Sequence, residues 1–284
     1  MTVNSQSVSW LKARSNIILI YEFSVFYCLS LKKKDNKRKM FEELKNFIDA
    51  STNLVFFTGA GISTESGIPD FRGPSGFWKT NKPIYFQDFI ESEDMRRKSW
   101  ERNAATKQKI TNVQPNIGHL AIADIMSKKP HSHLITQNVD NLHQQAGVPE
   151  EKITELHGNS TYASCLDCST RYELEPIHKA FQEKGELPYC KECGGLVKTA
   201  TISFGQPMPE EEMNVAQRKT VGCDLFITIG TSLVVFPAAG FPKLAKEIGA
   251  RLIIINNEET DFDSIADLVI HEQIGKVFSN ISVD

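Results

Sequence analysis

The chain has 284 residues, of which 40% are apolar and 24% are charged, a composition typical of a globular protein. No segment reaches the roughly 18 uninterrupted apolar residues that a membrane helix needs, so no transmembrane segment is expected. Residues 1–39 hold eight basic and two acidic side chains, a charge of +6, which leaves −9 for residues 40–284 out of the total of −3. A domain of that sign does not attract phosphate backbones, so nucleic acid is not an expected partner.

The first 39 residues contain an apolar run, Ile17–Leu31, and a cluster of lysines, but no recognisable functional motif. We expect this N-terminal tail to be poorly ordered and dispensable. From Met40 onward, the apolar spacing over Phe41–Ile48 suits an amphipathic helix. The folded domain is therefore predicted to span residues 40–284.

Short apolar runs then recur, and each of them ends in a polar or glycine-rich turn. The predicted strands are Leu54–Phe57, Leu134–Thr136, Thr199–Phe204, Leu225–Ile229, Leu252–Ile255 and Leu268–Ile270. Helix-like stretches, Ile117–Met126 and Phe241–Ile248, lie between several of them. This alternation predicts an α/β fold with a Rossmann-like parallel sheet and ligand groups at the strand C-termini. Two insertions interrupt it: a helical segment at about 73–112, centred on Ser92–Lys109, and a cysteine-bearing module at about 160–197.

The first strand runs into a turn that contains Gly59, Ala60, Gly61 and Ser63, where glycines would let the backbone approach a pyrophosphate. This is half of a dinucleotide-binding fingerprint, because Thr64 stands in place of the third glycine and no ribose-binding acid follows. A tight turn with no ligand is the alternative.

The loop that follows places an acid, an aromatic ring and a cation, Asp70, Phe71 and Arg72, beside this turn. The alternative for the loop is a surface salt bridge. Gln137, Asn138 and Asp140 come directly after another buried strand, where their side chains could hydrogen-bond a ribose or a carboxamide, or cap a helix.

His157 precedes Gly158 and the first cysteine pair, and histidine is the usual side chain for moving protons near neutral pH. A structural histidine is the alternative, but the glycine would leave the ring open to a substrate.

Four cysteines form two C-x-x-C pairs, Cys165 with Cys168 and Cys190 with Cys193, separated by 21 residues. This spacing approximates that of a zinc ribbon, although it is slightly longer than usual, and four thiolates close a tetrahedral site. One structural zinc is therefore predicted, and four thiols without a metal are the alternative. Reduced thiols favour a reducing compartment, and we expect a cytoplasmic protein, with a mitochondrial or nuclear location as the alternative in a eukaryote.

In their order along the chain, these motifs resemble the sirtuin family from about Met40 to the C-terminus. The matching segments are Gly59–Ser63, Gly67–Arg72, Gln137–Asp140, His157–Gly158, the cysteine pairs, Gly230–Ser232 and Ile255–Asn257. The resemblance implies an NAD-dependent protein-lysine deacylase that consumes NAD and releases nicotinamide and O-acyl-ADP-ribose. Its expected partners are acyl-lysine protein substrates.

The resemblance also implies roles for individual residues. Asn138 and Asp140 would line the nicotinamide pocket, and His157 would be the general base. Phe204 and Gly205 would pair with an extended substrate peptide. The remaining NAD-binding residues would come from the two glycine-containing turns, the loop and the strand ends: Gly59, Ala60, Gly61, Ser63, Asp70, Phe71, Arg72, Gln137, Gly230, Ser232 and Asn256.

The helix after the first loop lacks the Tyr-x-x-Arg pair of sirtuins that remove acidic acyl groups, so acetyl or apolar acyl groups are expected. Trp100-Glu101-Arg102-Asn103 resembles one sirtuin branch and Gly73–Trp78 another, which leaves the branch open. A dehydrogenase should carry the full glycine fingerprint and a ribose acid, and a non-catalytic sensor should lack His157 or Asn138. Protein mono-ADP-ribosyl transfer from the same NAD site stays open as an alternative.

Overall fold

A computed structural model of the chain describes residues 36–73, 76–110 and 112–281. Its first helix, α1, covers residues 36–50 and buries Phe41, Leu44 and Ile48, which share one face. The helix therefore includes residues 36–39, which the sequence assigned to the tail, and Lys37 forms an ion pair with Glu272 near the C-terminus. The rest of the tail lies outside the described residues, as do Pro74 and Ser75 of the loop.

The strands form two sheets. They are β1 (Leu54–Thr58), β2 (His133–Thr136), β3 (Ile153–Glu155), β4 (Gly158–Cys165), β5 (Arg171–Glu173), β6 (Val197–Thr201), β7 (Leu225–Ile229), β8 (Arg251–Ile255) and β9 (Leu268–Ile270). The larger sheet has six parallel strands in the order β3-β2-β1-β7-β8-β9. All residues of β1 and β7 are buried, which confirms the parallel, helix-covered sheet predicted from two-sided apolar runs.

The helices after α1 are α2 (Phe86–Glu91), α3 (Glu93–Ile110), α4 (Ile117–Lys128), α5 (Leu142–Gln145), α6 (Leu174–Lys184), α7 (Glu210–Val221), α8 (Gly240–Glu247) and α9 (Ile274–Phe278). One sheet face packs with α1, α4 and α9 in a single apolar cluster, and the other face packs with α7 and α8. The fold is thus a three-layer α/β/α sandwich. Among the described residues, no helix is both long and apolar enough to cross a membrane.

The strand predicted over Thr199–Phe204 is wrong in both position and partner. The observed strand is β6, which pairs antiparallel with β4 in a separate sheet of order β5-β4-β6. In β6, apolar Val197 is followed by Lys198, which is also buried. The Lys198 ammonium donates hydrogen bonds to the carbonyls of Thr199 and Thr201. Sequence periodicity cannot distinguish this small-sheet strand from a strand of the main sheet.

The two predicted insertions share one core. Trp100 of α3 is 1% exposed and clusters with Leu174 of α6 and with Cys165, Cys190 and Val197 of the cysteine module. The guanidinium of Arg97 also donates a hydrogen bond to the carbonyl of Gly185, at the end of α6. Helix α3 therefore packs on the cysteine module instead of standing alone.

Candidate functional site

The turns that follow β1 and β7 interlock at the point where the strand order of the sheet reverses. Gly59 N donates to the Ile229 carbonyl at 3.0 Å, and Gly61 N donates to the Gly230 carbonyl at 2.8 Å. A Cβ on Gly59 would lie 2.7 Å from Cβ of Thr231, and one on Gly61 would lie 2.8 Å from Cα of Gly230. Contact between the two turns thus demands these glycines. In α/β sheets, the crevice at such a reversal is where ligands bind.

Three of the predicted side chains meet in this crevice. Ser63 Oγ donates to Asp140 Oδ2 at 2.6 Å, while Nδ2 of Asn138 donates to the Gly59 carbonyl at 3.1 Å and to Ser63 Oγ at 3.3 Å. Asp140 Oδ1 also accepts from the backbone N–H of Leu142, in the first turn of α5. The N-cap residue of α5 is Asn141, and its side chain makes no capping hydrogen bond, so Asp140 stands one residue before the cap.

Two buried histidines that the sequence analysis did not single out, His119 and His143, lie next to this cluster. His119 accepts at Nδ1 from the backbone N–H of Asn116, so its Nε2 carries the proton and points to Ser63 Oγ at 3.5 Å. The ring of His143 lies 4.8 Å from that of His119, and its Nε2 lies 3.0 Å from Thr58 Oγ1. Burial lowers the pKa of His119 to about 4 and holds that of His143 well below its usual value, which keeps both rings neutral near pH 7.

The sequence contains a local pattern for only one of these contacts, the capping pair at the start of α4. Asn116 and His119 form a reciprocal capping pair at the start of α4, in a pattern that usually ends in Glu or Gln. The contacts of His119 and His143 with the site join residues 56 and 85 positions apart in the chain. Such distant pairings follow from the fold and not from a local motif.

His157 lies between β3 and β4 and is half-buried. Its Nδ1 lies 3.0 Å from the carbonyl oxygen of Gln137, which can only accept, so Nδ1 carries the proton and Nε2 is the basic nitrogen. Burial lowers the pKa of His157 and the charge of Arg72 lowers it further, while the bond to Gln137 acts in the opposite direction. The ring is thus a neutral base near pH 7.

The structure gives a reason for Gly158 in addition to the one that the sequence suggested. Gly158 has a φ of 72°, and a Cβ there would lie 2.0 Å from the Ala200 carbonyl oxygen. The glycine permits close pairing of the strand after His157 with β6. Ile202 N also donates to the carbonyl of His157 at 2.8 Å, which ties the residue to the segment that leads to Phe204.

The first loop carries an aromatic surface. Phe71 stacks on Trp78 with ring centroids 5.6 Å apart, and Trp78 meets Phe204 edge-on at 5.7 Å. Phe71 and Phe204 are 37% and 38% exposed, so rings from the loop and from the predicted peptide-binding segment line one surface. Asp70 instead accepts the N–H of Gly73 at 2.8 Å, and its carboxylate shapes the loop.

The remaining predicted NAD-binding residues lie along the same edge of the sheet. Gln137 Nε2 donates to Thr231 Oγ1 at 3.0 Å, across β1. Ser232 is exposed after β7, and Asn256 follows β8 with its Nδ2 bonded to the Glu258 carbonyl. With strands about 4.8 Å apart, the edge from β2 to β8 is roughly 14 Å long. An extended ligand such as a dinucleotide could span it.

The four predicted zinc ligands converge. All four sulfur atoms of Cys165, Cys168, Cys190 and Cys193 lie within 4.8 Å of one another, and three pairs lie 3.4–3.5 Å apart. Bonds of about 2.3 Å in a tetrahedron require sulfur separations of about 3.8 Å, so the cluster fits a zinc ion with small adjustments. Four thiolates leave no vertex for a water, which makes the site structural. Tyr172 donates its hydroxyl proton to the Cys190 sulfur at 3.0 Å.

Comparison with known proteins agrees with this geometry. The profile described as the Sir2 family matches residues 59–237. An NAD-dependent protein deacetylase of Rhodopseudomonas palustris is 51% identical over 235 residues, which cover 83% of this chain and 93% of the relative. NAD-dependent protein deacylase 2 of Archaeoglobus fulgidus is 40% identical over 232 residues, covering 81% and 90%.

Solved structures show the same likeness. A complex described as Sir2, p53 peptide and NAD+ superposes with a TM-score of 0.75 at 32% identity, covering 84% of this chain and 95% of that one. A Sir2 variant with a deacetylated p53 peptide and 3'-O-acetyl ADP-ribose superposes with a TM-score of 0.72 at 33% identity, covering 84% and 96%.

Proposed function

This chain belongs to the Sir2 family, and we propose that it removes acyl groups from protein lysines with consumption of NAD. The observation that carries the proposal is the meeting of Ser63, Asn138 and Asp140 at the sheet's reversal point. His157 stands beside them as a neutral base, linked to the same strand end through the Gln137 carbonyl. The products are nicotinamide, the free lysine and O-acyl-ADP-ribose.

The first step separates nicotinamide from the ribose. The carbonyl oxygen of the acyl-lysine forms a bond to the ribose carbon, and the bond from that carbon to nicotinamide breaks with its electron pair leaving on nicotinamide. Asn138 and Asp140 hold the carboxamide in this role. Because Nδ2 of Asn138 is already bonded to the Gly59 carbonyl and Ser63 Oγ, Oδ1 of Asn138 and the Asp140 carboxylate accept from the carboxamide N–H groups. Ser63 fixes the Asp140 carboxylate through the 2.6 Å hydrogen bond.

The second step needs a base. Nε2 of His157 takes the proton of a ribose hydroxyl, and that oxygen then attacks the carbon of the acyl group. The Nδ1 hydrogen bond to Gln137 holds the tautomer in which Nε2 accepts. Such a proton transfer is worth about 10²–10⁴-fold in rate. Water finally releases the lysine and leaves the acyl group on ADP-ribose.

Substrate proteins bind as extended peptides along Phe204 and Gly205. Main-chain pairing supplies affinity with little sequence demand. Phe204, together with Trp78 and Phe71, offers an apolar aromatic surface to the acyl-lysine, which suits neutral acyl groups. The net charge of −9 outside the tail favours protein substrates over nucleic acid.

Gly59, Ala60 and Gly61 face the NAD phosphates in this proposal, while Gly230, Ser232 and Asn256 hold the adenosine end. The charge of Arg72 lowers the pKa of His157, which supports a role for Arg72 near the reacting ribose. Zinc bound to the four cysteines crosslinks the small sheet. Four reduced thiols suit a reducing compartment such as the cytoplasm.

The decisive experiment identifies the molecule to which the ADP-ribose group is attached after the reaction. The protein is incubated with NAD and a panel of acyl-lysine peptides, and mass spectrometry identifies where the ADP-ribose group ends. O-acyl-ADP-ribose with free lysine is expected. ADP-ribose attached to protein, without acyl transfer, would instead establish mono-ADP-ribosyl transfer and overturn the deacylase assignment.

A further inference from the structure

We propose that Glu155 and Asn159 are positioning residues for His157, a role that rests on the deacylase function proposed above. The two residues stand two positions before and two positions after His157. Nδ2 of Asn159 donates to Oε1 of Glu155 at 2.8 Å, so a side-chain bridge encloses the corner between β3 and β4. His157 lies between the two bridged residues in the chain.

The bridge is also fastened to the other side of the site. Nε2 of Gln144, on α5, donates to the same Glu155 oxygen at 2.7 Å. Nδ2 of Asn159 lies 3.2 Å from Oδ1 of Asn141, the residue that follows Asp140. The network thus joins the turn that carries the carboxamide-binding Asp140 to the corner that carries the base.

Asn159 has a fixed orientation. It is 4% exposed, and its Oδ1 accepts from both the N–H and the hydroxyl of Thr161, at 2.8 and 2.7 Å. The amide oxygen is therefore committed to Thr161 and the amide nitrogen to Glu155 and Asn141. A buried amide with all its groups engaged is rigid, because releasing any one bond leaves a polar atom unsatisfied.

Rigidity at this corner matters for one step in particular. The hydrogen bond from Nδ1 to Gln137 selects the tautomer of His157, but the backbone at His157 must place the ring relative to the ribose. Misplacement of a catalytic group by about 1 Å can cost on the order of 100-fold in rate. A network that only stabilises the fold would affect every step alike, whereas loss of positioning acts on the step that His157 performs.

The test compares two reactions of the same protein. Exchange of labelled nicotinamide into NAD, with acyl-peptide present, needs only departure and return of nicotinamide and precedes the proton transfer to His157. Complete deacylation needs both steps. For Asn159→Ala we expect deacylation kcat to fall about tenfold or more, while nicotinamide exchange and the KM for NAD change less than about twofold.

Three further variants sharpen the comparison. Glu155→Ala breaks the bridge from its other end and serves if Asn159→Ala does not fold. Glu155→Gln keeps an acceptor oxygen for Asn159 and Gln144 and should retain most of the activity. Gln145→Ala changes an exposed neighbour on α5 and is the matched control, with both reactions expected at wild-type rates.

The ratio of exchange to deacylation decides the outcome. A ratio raised in each bridge-breaking variant that folds, and normal in Glu155→Gln, supports the positioning role. Equal loss of exchange and deacylation, or a wild-type ratio, overturns it while leaving the deacylase proposal intact. A wild-type protein that neither exchanges nicotinamide nor deacylates would overturn both proposals.

Discussion

Nδ1 of His157 and the carbonyl oxygen of Gln137 lie 3.0 Å apart, and this hydrogen bond joins the corner after β3 to the end of β2. Because the carbonyl accepts the Nδ1 proton, the Nε2 lone pair is the group available to a substrate. The proposed base and the turn that contains Asn138 are therefore fixed to one strand end. Their relative position is set by the central sheet.

Replacing His157 with alanine should abolish deacylation and leave NAD binding largely intact. A general base acts on a transition state and contributes little to ground-state affinity. We expect a loss of at least about 100-fold in kcat, measured by peptide mass spectrometry, with the Kd for NAD from calorimetry within about threefold of the wild type. Near-wild-type turnover would remove His157 from the base role.

The pH profile should report the lowered pKa of His157. The base must be neutral, and burial together with the Arg72 charge lowers its pKa, so the acid limb of kcat/KM should lie below pH 6.5. Arg72→Gln removes the nearby charge and should move that limb to higher pH. Lys79→Gln, an exposed cation farther along the loop, is the control. A wild-type limb at or above pH 6.5 would contradict the assignment.

Tyr172 should slow the loss of zinc. Its hydroxyl donates to the Cys190 sulfur at 3.0 Å and accepts the N–H of Lys191 at 2.9 Å, which stabilises a thiolate ligand. Tyr172→Phe should release zinc to a chelator about tenfold faster, followed with a metal-sensitive dye. Tyr189→Phe, which alters a half-exposed tyrosine beside Cys190, should behave as the wild type. Identical release rates for the two variants would rule out this stabilisation.

Neutral acyl groups should be preferred over succinyl. Nη1 of Arg102 donates to the Lys82 carbonyl at 2.7 Å, and Oδ1 of Asn103 pairs with Nε2 of His178 at 2.6 Å, so both side chains are already engaged. A buried carboxylate without a partner costs several kcal/mol. We expect kcat/KM for acetyl or longer apolar acyl peptides to exceed that for succinyl by at least about tenfold, roughly 1.4 kcal/mol.

A matched variant tests this assignment of Arg102. Arg102→Ala should leave the ratio of acetyl to succinyl turnover unchanged. Equal or better succinyl turnover in the wild type, abolished in the variant, would mean that Arg102 leaves Lys82 to bind the acyl carboxylate.

The start of the domain can be located by truncation. Helix α1 includes residues 36–39, and the hydrogen bonds of Lys276 and then of Lys37 lower the pKa of Glu272 to about 2. A chain that begins at Met40 should therefore melt about 1–4 °C below one that begins at Asn36, since a partly exposed ion pair is worth up to about 1 kcal/mol. Equal melting temperatures would show that residues 36–39 add nothing.

Because of the ion pair between Lys37 and Glu272, the difference in melting temperature between the two chains should depend on pH. The folded-state pKa of Glu272 is depressed, so the stabilisation is present above its usual value of 4.5 and is lost as pH falls toward about 2. The two chains should thus converge in acid. Lys37→Met in the longer chain should reproduce much of the difference, whereas Arg38→Met, at an exposed position, should not.

Sequence patterns predicted the central sheet well because β1 and β7 are apolar on both faces, and such strands appear in the sequence as short runs of consecutive apolar residues. They failed at β6, where a buried Lys198 and a distant antiparallel partner decide the pairing. The convergence of the four cysteines was predictable from spacing alone. Contacts such as His119 with Ser63 depend on the tertiary fold.

Because α3 and the cysteine module share one core, a chimera between this protein and a relative must exchange the two segments together. Trp100 is 1% exposed and lies edge-on to His178 of α6 with ring centroids 6.1 Å apart. A chimera that exchanges only residues 160–197 would leave the indole against a foreign surface and open a void at the seam. A viable graft should move both segments as one cassette, with crossover points in the connections to the central sheet.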